Sequence, residues 1–146
     1  MGKIKKILVA IDNSQCSIIA AKEGIELARQ LNAEIGIVFV VDITKAIGNP
    51  DVGIITQEAL MMLKKEVEDT FNFLTSLYEK DKITKFMPEG YPAEEIINTS
   101  LFFNADLIVI GTHGRTGLKH FLLGSVAENV LRRSKVPVLS VPVKKK

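Results

Sequence analysis

The sequence has few of the residues that mark disulfide-rich, strongly charged or nucleic-acid-binding proteins. Cys16 is its only cysteine, so no internal disulfide and no cysteine-based metal cluster is expected. Tryptophan is absent and the net charge is only +2, which gives no long-range electrostatic reason to bind nucleic acid or an anionic membrane. The one basic cluster, residues 144–146, is interpreted as a solvated tail.

Long apolar runs are also missing. No run reaches the length of a membrane span, and the first residues lack the apolar core of a signal peptide. We therefore expect a cytoplasmic protein without a membrane partner. The hydrophobic content of 47% is that of an ordinary globular chain, and 146 residues are enough for a substantial core. We predict a single domain over residues 1–146.

Several familiar phosphate-binding motifs do not occur. The chain has no Gly-x-x-x-x-Gly-Lys-Ser/Thr, which excludes a Walker-type NTPase, and no Gly-x-Gly-x-x-Gly after its first apolar run, which argues against a dinucleotide fold. The segment from Gly114 to Gly117 matches the GxxG of an RNA-binding KH domain. It follows a strand in an α/β pattern, however, so RNA binding is discounted.

Apolar runs alternate with amphipathic segments along the whole chain. Five runs predict strands and four segments predict helices, including a long helix from about Thr56 to Lys80. Such alternation indicates parallel strands joined by right-handed crossovers. We predict an α/β fold with an open five-stranded parallel sheet in the order 3-2-1-4-5 and helices on both faces. The predicted strands are 7–11, 34–41, 83–87, 107–110 and 136–141.

Three segments carry more specific expectations. Residues 88–92 predict a turn, and the helix after it is expected to bury Ile96, Ile97 and Leu101. Residues 43–55 form no clear element. They are interpreted either as a mobile segment over a ligand or as cover for part of the core.

Glycines cluster after the fourth predicted strand. Gly111, Gly114 and Gly117 fall within seven residues, and Gly124 stands before Ser125 and a helical pattern. Glycine has no Cβ, so backbone N–H groups can approach an anion directly, and the partial positive charge of a helix start favours phosphate. The stretch therefore predicts a phosphate-bearing ligand.

The predicted strand order makes the first and fourth strands neighbours. Their carboxyl ends then form one crevice, where ligands of open α/β sheets bind. Asp12 follows the first strand, and its carboxylate would repel a phosphate but suits a ribose hydroxyl or a base amine. We therefore predict base and sugar near Asp12, and phosphates near Gly114, Gly124 and Ser125.

These residues also have purely structural interpretations, which the sequence leaves open. Ser125 fits the spacing of a capping box with Glu128, and Asp12 is a common turn residue. Arg115 is interpreted either as a phosphate contact or as a loop charge. His113 lacks the spacing partners of a metal site and is otherwise a solvent-exposed loop residue.

The chain resembles the universal stress protein family over nearly all of its length. ATP-binding members of that family carry Gly, two residues, Gly, nine residues, Gly and then Ser or Thr. Here Gly111, Gly114, Gly124 and Ser125 complete the pattern. Asn13 stands where glycine is frequent, a mild departure. Three further segments are similar to family signatures, namely 6–14, 105–111 and 136–142.

This resemblance implies a Rossmann-like fold of the adenine nucleotide alpha hydrolase type, with bound ATP. It implies an adenine near Ala10, Asp12 and Val40, and Mg²⁺ or Mn²⁺ on the phosphates without a dedicated protein cage. The residues that it implies around the phosphates are Gly111, Thr112, His113, Gly114, Arg115, Gly117, Gly124, Ser125 and Val126.

The resemblance further implies a homodimer, formed by antiparallel pairing of the last strands between Val136 and Val141. The residues themselves support this expectation. Pro137 and Pro142 punctuate an apolar segment that is expected at a sheet edge, and an exposed apolar edge requires a partner.

Two classes of function follow from these observations. In one, the protein is a nucleotide-dependent regulator or sensor in the stress response. In the other, it is a weak ATP hydrolase or phosphotransferase whose activity needs a partner. Efficient phosphoryl transfer requires a placed base and charge stabilisers. Asp12 lies at the wrong end of the nucleotide and only His113 lies near the phosphates, so we prefer the regulator.

A third interpretation is a family member that binds no nucleotide, and the intact glycine pattern argues against it. The sequence does not distinguish ATP from AMP or another adenylate.

Overall fold

Four helices and seven strands are formed by the residues that the computed structural model describes, which are 2–43, 57–79, 82–113 and 123–142. The strands are β1 (Lys6–Ile11), β2 (Glu34–Phe39), β3 (Val41–Asp42), β4 (Ile83–Phe86), β5 (Glu89–Gly90), β6 (Leu107–Gly111) and β7 (Val138–Val141). The helices are α1 (Gln15–Leu31), α2 (Gln57–Thr75), α3 (Pro92–Phe103) and α4 (Ser125–Arg133).

Five of the strands form one parallel sheet in the order β4-β2-β1-β6-β7. Counted along the chain, these strands have the order 3-2-1-4-5, so the predicted topology is confirmed. In the centre of the sheet, Ile7 of β1 pairs with Ile35 on one side and with Leu107 on the other. The carboxyl ends of β1 and β6, at Ile11 and Gly111, therefore open at the same edge of the sheet.

The central strands are buried on both faces, which explains their unbroken apolar sequences. Ile7 and Val9 of β1 pack in the layer that contains α1 and α2, whereas Leu8 and Ala10 pack in the layer that contains α3 and α4. A parallel strand with helices on both sides selects apolar residues at every position, not at alternate ones. This pattern made the strands recognisable from the sequence.

Parts of two predicted elements form a small second sheet that was not predicted. The strand predicted over 34–41 ends at Phe39, and the chain continues as β3. β3 pairs in parallel with β5, which lies within the stretch predicted as a turn. The backbone N–H of Val41 donates to the carbonyl of Pro88 at 2.8 Å. Because this pairing joins distant parts of the chain, no local sequence pattern indicates it.

The apolar face of α3 differs from the predicted one. Ile96 is buried as expected and Ile97 is half-buried, but Leu101 is 51% exposed, so its predicted core position is wrong. The helical stripe that meets the sheet advances by three and four residues from Ile96, and Leu101 falls outside it. The buried residues of α3 are Ile96, Thr99, Ser100 and Phe103.

Two predicted elements are shorter in the structure. Helix α2 ends at Thr75, short of the predicted Lys80. Strand β7 begins two residues later than predicted, because Pro137 has no N–H to donate to the ladder. The carbonyl of Pro137 still accepts a hydrogen bond from the N–H of Ile108 at 2.9 Å, so the pairing with β6 extends on one side.

Two segments with predicted roles lie largely outside the residues that the structure describes. Apart from Ile43, the segment 43–55 lies outside the described residues, as does the loop from Gly114 to Gly117. Within the described ranges, every helix is too short or too polar to cross a bilayer.

Candidate functional site

A cavity of about 320 Å³ opens at the carboxyl ends of β1, β2 and β6. We call it the first cavity. It lies where the strand order of the sheet reverses, which is the usual ligand position in open α/β sheets. Its volume is at the lower end of the range for small-molecule sites. It is lined by Ala10, Ile11, Asp12, Ser17, Phe39, Val40, Val41, Asp42, Leu63, Pro92, Ile96, Ile110, Gly111, His113, Gly124, Ser125, Val126 and Ala127.

The structure brings most of the predicted site residues together around this cavity. Those that line it are Ala10, Asp12, Val40, Gly111, His113, Gly124, Ser125 and Val126. Thr112 is not among the lining residues. Gly114, Arg115 and Gly117 lie outside the described residues.

Asp12 holds the turn between β1 and α1. Its Oδ1 accepts a hydrogen bond from the N–H of Ser14 at 3.0 Å, and its own N–H donates to Oγ of Ser17 at 3.1 Å. Asn13 adopts the left-handed region with φ of 64°, which asparagine tolerates better than most residues. Ser14 then caps α1, its side chain accepting from the N–H of Ser17.

The turn role of Asp12 is therefore real, but it occupies only one carboxylate oxygen. Among the described residues, none donates a hydrogen bond to Oδ2 of Asp12, and the residue lines the first cavity. One oxygen of this carboxylate is thus available to a ligand that donates a hydrogen bond.

Helix α4 starts without a side-chain cap. Its N-cap is Gly124, and Ser125 is the first residue of the helix, so the capping-box interpretation of Ser125 is wrong. The first bond of the helix runs from the N–H of Glu128 to the carbonyl of Gly124. The N–H groups of the first three helical residues therefore have no acceptor within the helix. These residues are Ser125, Val126 and Ala127. These residues line the first cavity, where their amides and the helix dipole favour an anion.

Thr112 joins the ends of two elements instead of lining the cavity. Its carbonyl accepts a hydrogen bond from the N–H of Gly124 at 2.6 Å, and its own N–H donates to the carbonyl of Val141 at 3.1 Å. The backbone of Thr112 thus fixes the start of α4 beside the ends of β6 and β7. Its contribution to the cavity is to position Gly124.

Gly111 has a packing reason that the sequence did not reveal. A Cβ placed on Gly111 would lie 2.9 Å from Sγ of Cys16 and 3.2 Å from the carbonyl oxygen of Cys16. The first glycine of the loop therefore lets β6 approach the first turn of α1. This close approach, and not a ligand contact, is sufficient to require glycine at this position.

His113 carries an unpaired polar atom at the cavity. Its Nδ1 is buried, and no described residue forms a hydrogen bond with it. An unpaired buried polar atom costs about 1–3 kcal/mol. Such atoms are uncommon in folded proteins and are typical of sites where a ligand or an ordered water supplies the partner.

The opposite wall of the cavity was missed by sequence reasoning. The small sheet and the start of α3 bring apolar side chains over the ends of β1 and β2. No local pattern signals Val41 and Asp42, because their position depends on the pairing of β3 with β5. The missed residues on this side are Phe39, Val41, Asp42, Leu63, Pro92 and Ile96, and those missed elsewhere in the lining are Ile11, Ser17, Ile110 and Ala127.

Val40 stands at the junction of the main sheet and the small sheet, beside the first cavity. The N–H groups of Val41 and Ile43 donate toward β5, to the carbonyls of Pro88 and Gly90. Successive residues of an extended strand direct their N–H and C=O groups to opposite sides. Val40 itself lies between β2 and β3 and lines the first cavity.

No group of three or more His, Cys, Asp and Glu side chains is arranged to hold a metal ion within the described ranges. A divalent ion at this site would therefore depend on oxygens supplied by the ligand and by water.

Comparison with known proteins gives a consistent family match. Residues 3–142 match the Universal stress protein family. The universal stress protein MJ0531 of Methanocaldococcus jannaschii is 40% identical over 145 residues, which cover 97% of this chain and 84% of that relative. The universal stress protein YxiE of Bacillus subtilis is 33% identical over 144 residues, which cover 93% of this chain and 97% of YxiE.

A solved structure has the same fold. The structure of protein MJ0577 from Methanocaldococcus jannaschii superposes with a TM-score of 0.83 and is 29% identical, covering 99% of this chain and 100% of that chain.

Proposed function

The chain belongs to the universal stress protein family, and from this premise we propose that it binds ATP and acts as a nucleotide-dependent regulator or sensor in the stress response. The observation that carries the proposal is the uncapped start of α4, which opens onto the first cavity.

The phosphate end of the ligand is assigned to α4. The free N–H groups of Ser125 and Val126 point from a helix start that has no side-chain cap to compete with an anion. No lysine or arginine is found among the described lining residues. Phosphate binding at this end would therefore depend on backbone dipoles and on Mg²⁺ or Mn²⁺ held by the phosphates themselves.

The base and sugar are assigned to the opposite end. Phe39 and Ile96 provide apolar walls, and Oδ2 of Asp12 is an acceptor for a ribose hydroxyl. The backbone of Val40 offers one donor and one acceptor. Adenine presents the complementary pair, a ring nitrogen that accepts and an amino group that donates.

The residues around the cavity favour a regulator over a dedicated enzyme. Phosphoryl transfer requires a placed base and positive charge on the transferring group. His113 is the only imidazole among the described lining residues, and the described lining contains no cationic side chain. The alternative function is a weak ATP hydrolase or phosphotransferase that obtains the missing charge from a partner.

We also propose a homodimer that pairs through β7. This strand is at the edge of the sheet, and Leu139 within it is 40% exposed. An apolar edge of this kind is a template for pairing with a second strand.

Isothermal titration with ATP tests the proposed ligand orientation. Asp12→Asn keeps the acceptor that holds Ser14 but removes the negative charge, whereas Asp12→Ala removes both. We expect ATP to bind the wild-type protein, and the Asn variant to bind about tenfold more weakly because a charged hydrogen bond is lost. Unchanged affinity in both variants would remove Asp12 from the site.

A further inference from the structure

A second cavity of about 480 Å³ adjoins the first. We call it the side cavity. Ser125 and Val126, the first two residues of α4, line both cavities. Because the phosphates of the ligand are assigned to this helix start, a phosphate tail that continues past it would enter the side cavity. The side chains of the side cavity therefore bear on how many phosphates the site prefers.

One face of α4 forms a wall of the side cavity. Ser125, Asn129 and Arg133 recur at i, i+4 spacing, which places them on the same side of the helix. The carboxamide of Asn129 is engaged at both ends, since Nδ2 donates to the carbonyl of Ser125 at 2.9 Å and Oδ1 accepts from Arg132 at 3.1 Å. The guanidinium of Arg133 is therefore the charged group that this face of α4 leaves for a ligand.

The two arginines at the end of α4 differ in their partners. Arg132 lies 3.9 Å from a carboxylate oxygen of Glu128 and donates to Asn129. Arg133 forms no hydrogen bond, ion pair or ring contact within the described part of the chain. Among the described residues that line the two cavities, it is also the only lysine or arginine. A guanidinium matches the geometry of a phosphate, which accepts two parallel N–H donors.

Two carboxylates also line the side cavity, those of Asp42 and Glu94. Asp42 already has an interaction partner within the protein, so no ligand contact is assigned to it. Glu94 lies in the first turn of α3, where the helix dipole stabilises its charge. A phosphate accepts hydrogen bonds from a guanidinium but obtains none from an ionised carboxylate. In this cavity it would therefore contact Arg133, and Glu94 would repel it.

We propose that Arg133 gives the site its preference for a long phosphate tail, by contacting the terminal phosphate of ATP in the side cavity. The inference rests on the proposed function, since it places the first phosphates at the start of α4. The phosphate of AMP ends at that helix start and does not reach Arg133. The contact holds the terminal phosphate and supplies no base, so it agrees with a regulator.

Isothermal titration of the full chain with ATP and with AMP, each in the presence of Mg²⁺, tests the inference. AMP reports on the base, the sugar and the first phosphate. We expect the wild-type protein to bind ATP more tightly than AMP. Arg133→Ala should weaken ATP binding roughly three- to tenfold, between the effect of an exposed ion pair and that of a hydrogen bond to a charged group. Its affinity for AMP should stay close to that of the wild type.

The neighbouring arginine provides the matched control. Arg132→Ala removes the same charge one residue earlier, but Arg132 lies outside the lining of both cavities, so ATP binding should be nearly unchanged. The side chain of Arg133 is exposed and has no partner in the described ranges, so the fold is expected to persist in Arg133→Ala.

Two further measurements separate a phosphate contact from a structural role. Glu94→Gln removes the repulsion and should tighten ATP binding while AMP binding is unchanged. The difference in ATP affinity between the wild type and Arg133→Ala should shrink as the salt concentration rises, because salt screens exposed charges.

The outcomes distinguish the two proposals. Unchanged ATP affinity in Arg133→Ala, or wild-type protein that binds ATP no more tightly than AMP, would overturn the role of Arg133 and leave nucleotide binding standing. Equal losses for ATP and AMP, or an equal loss in Arg132→Ala, would also overturn that role, because the effect would not depend on the phosphate tail at this position. Absence of binding by both nucleotides would overturn the proposed function together with the inference.

Discussion

The substitution Ser125→Pro tests whether the backbone at the start of α4 binds phosphate. Proline has no N–H, so this change removes one donor from the proposed site. Ser125 is the first helical residue, a position where proline is favoured because the N–H has no partner within the helix. The preceding Gly124 has ψ of 152°, which is the extended conformation that proline requires before it. The fold should therefore tolerate the substitution.

The expected loss of affinity follows from one charged hydrogen bond. A hydrogen bond to a charged group contributes about 1.5–3 kcal/mol. Because each 1.4 kcal/mol is a factor of ten, we expect ATP to bind Ser125→Pro roughly 10- to 150-fold more weakly. The thermal midpoint of the protein without nucleotide should be almost unchanged, since no hydrogen bond of the folded chain is removed.

Isothermal titration with ATP is the assay, and Ser125→Ala is the matched control. The alanine variant loses the hydroxyl but keeps the N–H, so its affinity should remain close to that of the wild type. Wild-type affinity in Ser125→Pro would refute the backbone-amide account. An equal loss in both variants would show that the hydroxyl, and not the amide, contacts the ligand.

Three further predictions concern packing, assembly and chemistry. Gly111→Ala should lower the free energy of unfolding by about 1–3 kcal/mol in urea titrations, because its Cβ would press on Cys16. Gly2→Ala is the control, because a Cβ on Gly2 would lie in open space. An unchanged urea midpoint in Gly111→Ala would contradict the packing account. Leu139→Glu should give a monomer in sedimentation equilibrium, whereas Leu101→Glu, at an exposed leucine of α3, should not. A persistent Leu139→Glu dimer would exclude pairing through this edge. Phosphate release from ATP should be slow and little changed by His113→Ala, and rapid release that the substitution abolishes would favour the enzyme.

The sheet could be predicted from the sequence because burial on both faces selects a recognisable pattern. β1 and β6 have an unbroken apolar run, and each ends at a residue with distinct chemistry, Asp12 and Gly111 respectively. The order of parallel strands then brings these two ends together. The crevice at this edge of the sheet was therefore accessible to sequence reasoning.

Features that depend on contacts between distant parts of the chain could not be predicted from the sequence in this way. The pairing of β3 with β5 builds one wall of the cavity, yet neither strand exceeds two residues. Gly111 was interpreted through its backbone freedom, although the contact that requires glycine is with Cys16 on another element. The capping box at Ser125 failed because the helix begins one residue earlier than that motif requires, with Gly124 as its N-cap.

Mass spectrometry of small molecules released from freshly purified, denatured protein tests the central claim most directly. The account predicts an adenine nucleotide in an amount comparable to that of the protein, or ready uptake of ATP by protein that was purified empty. Protein that carries no nucleotide and shows no heat of binding when titrated with ATP would contradict it.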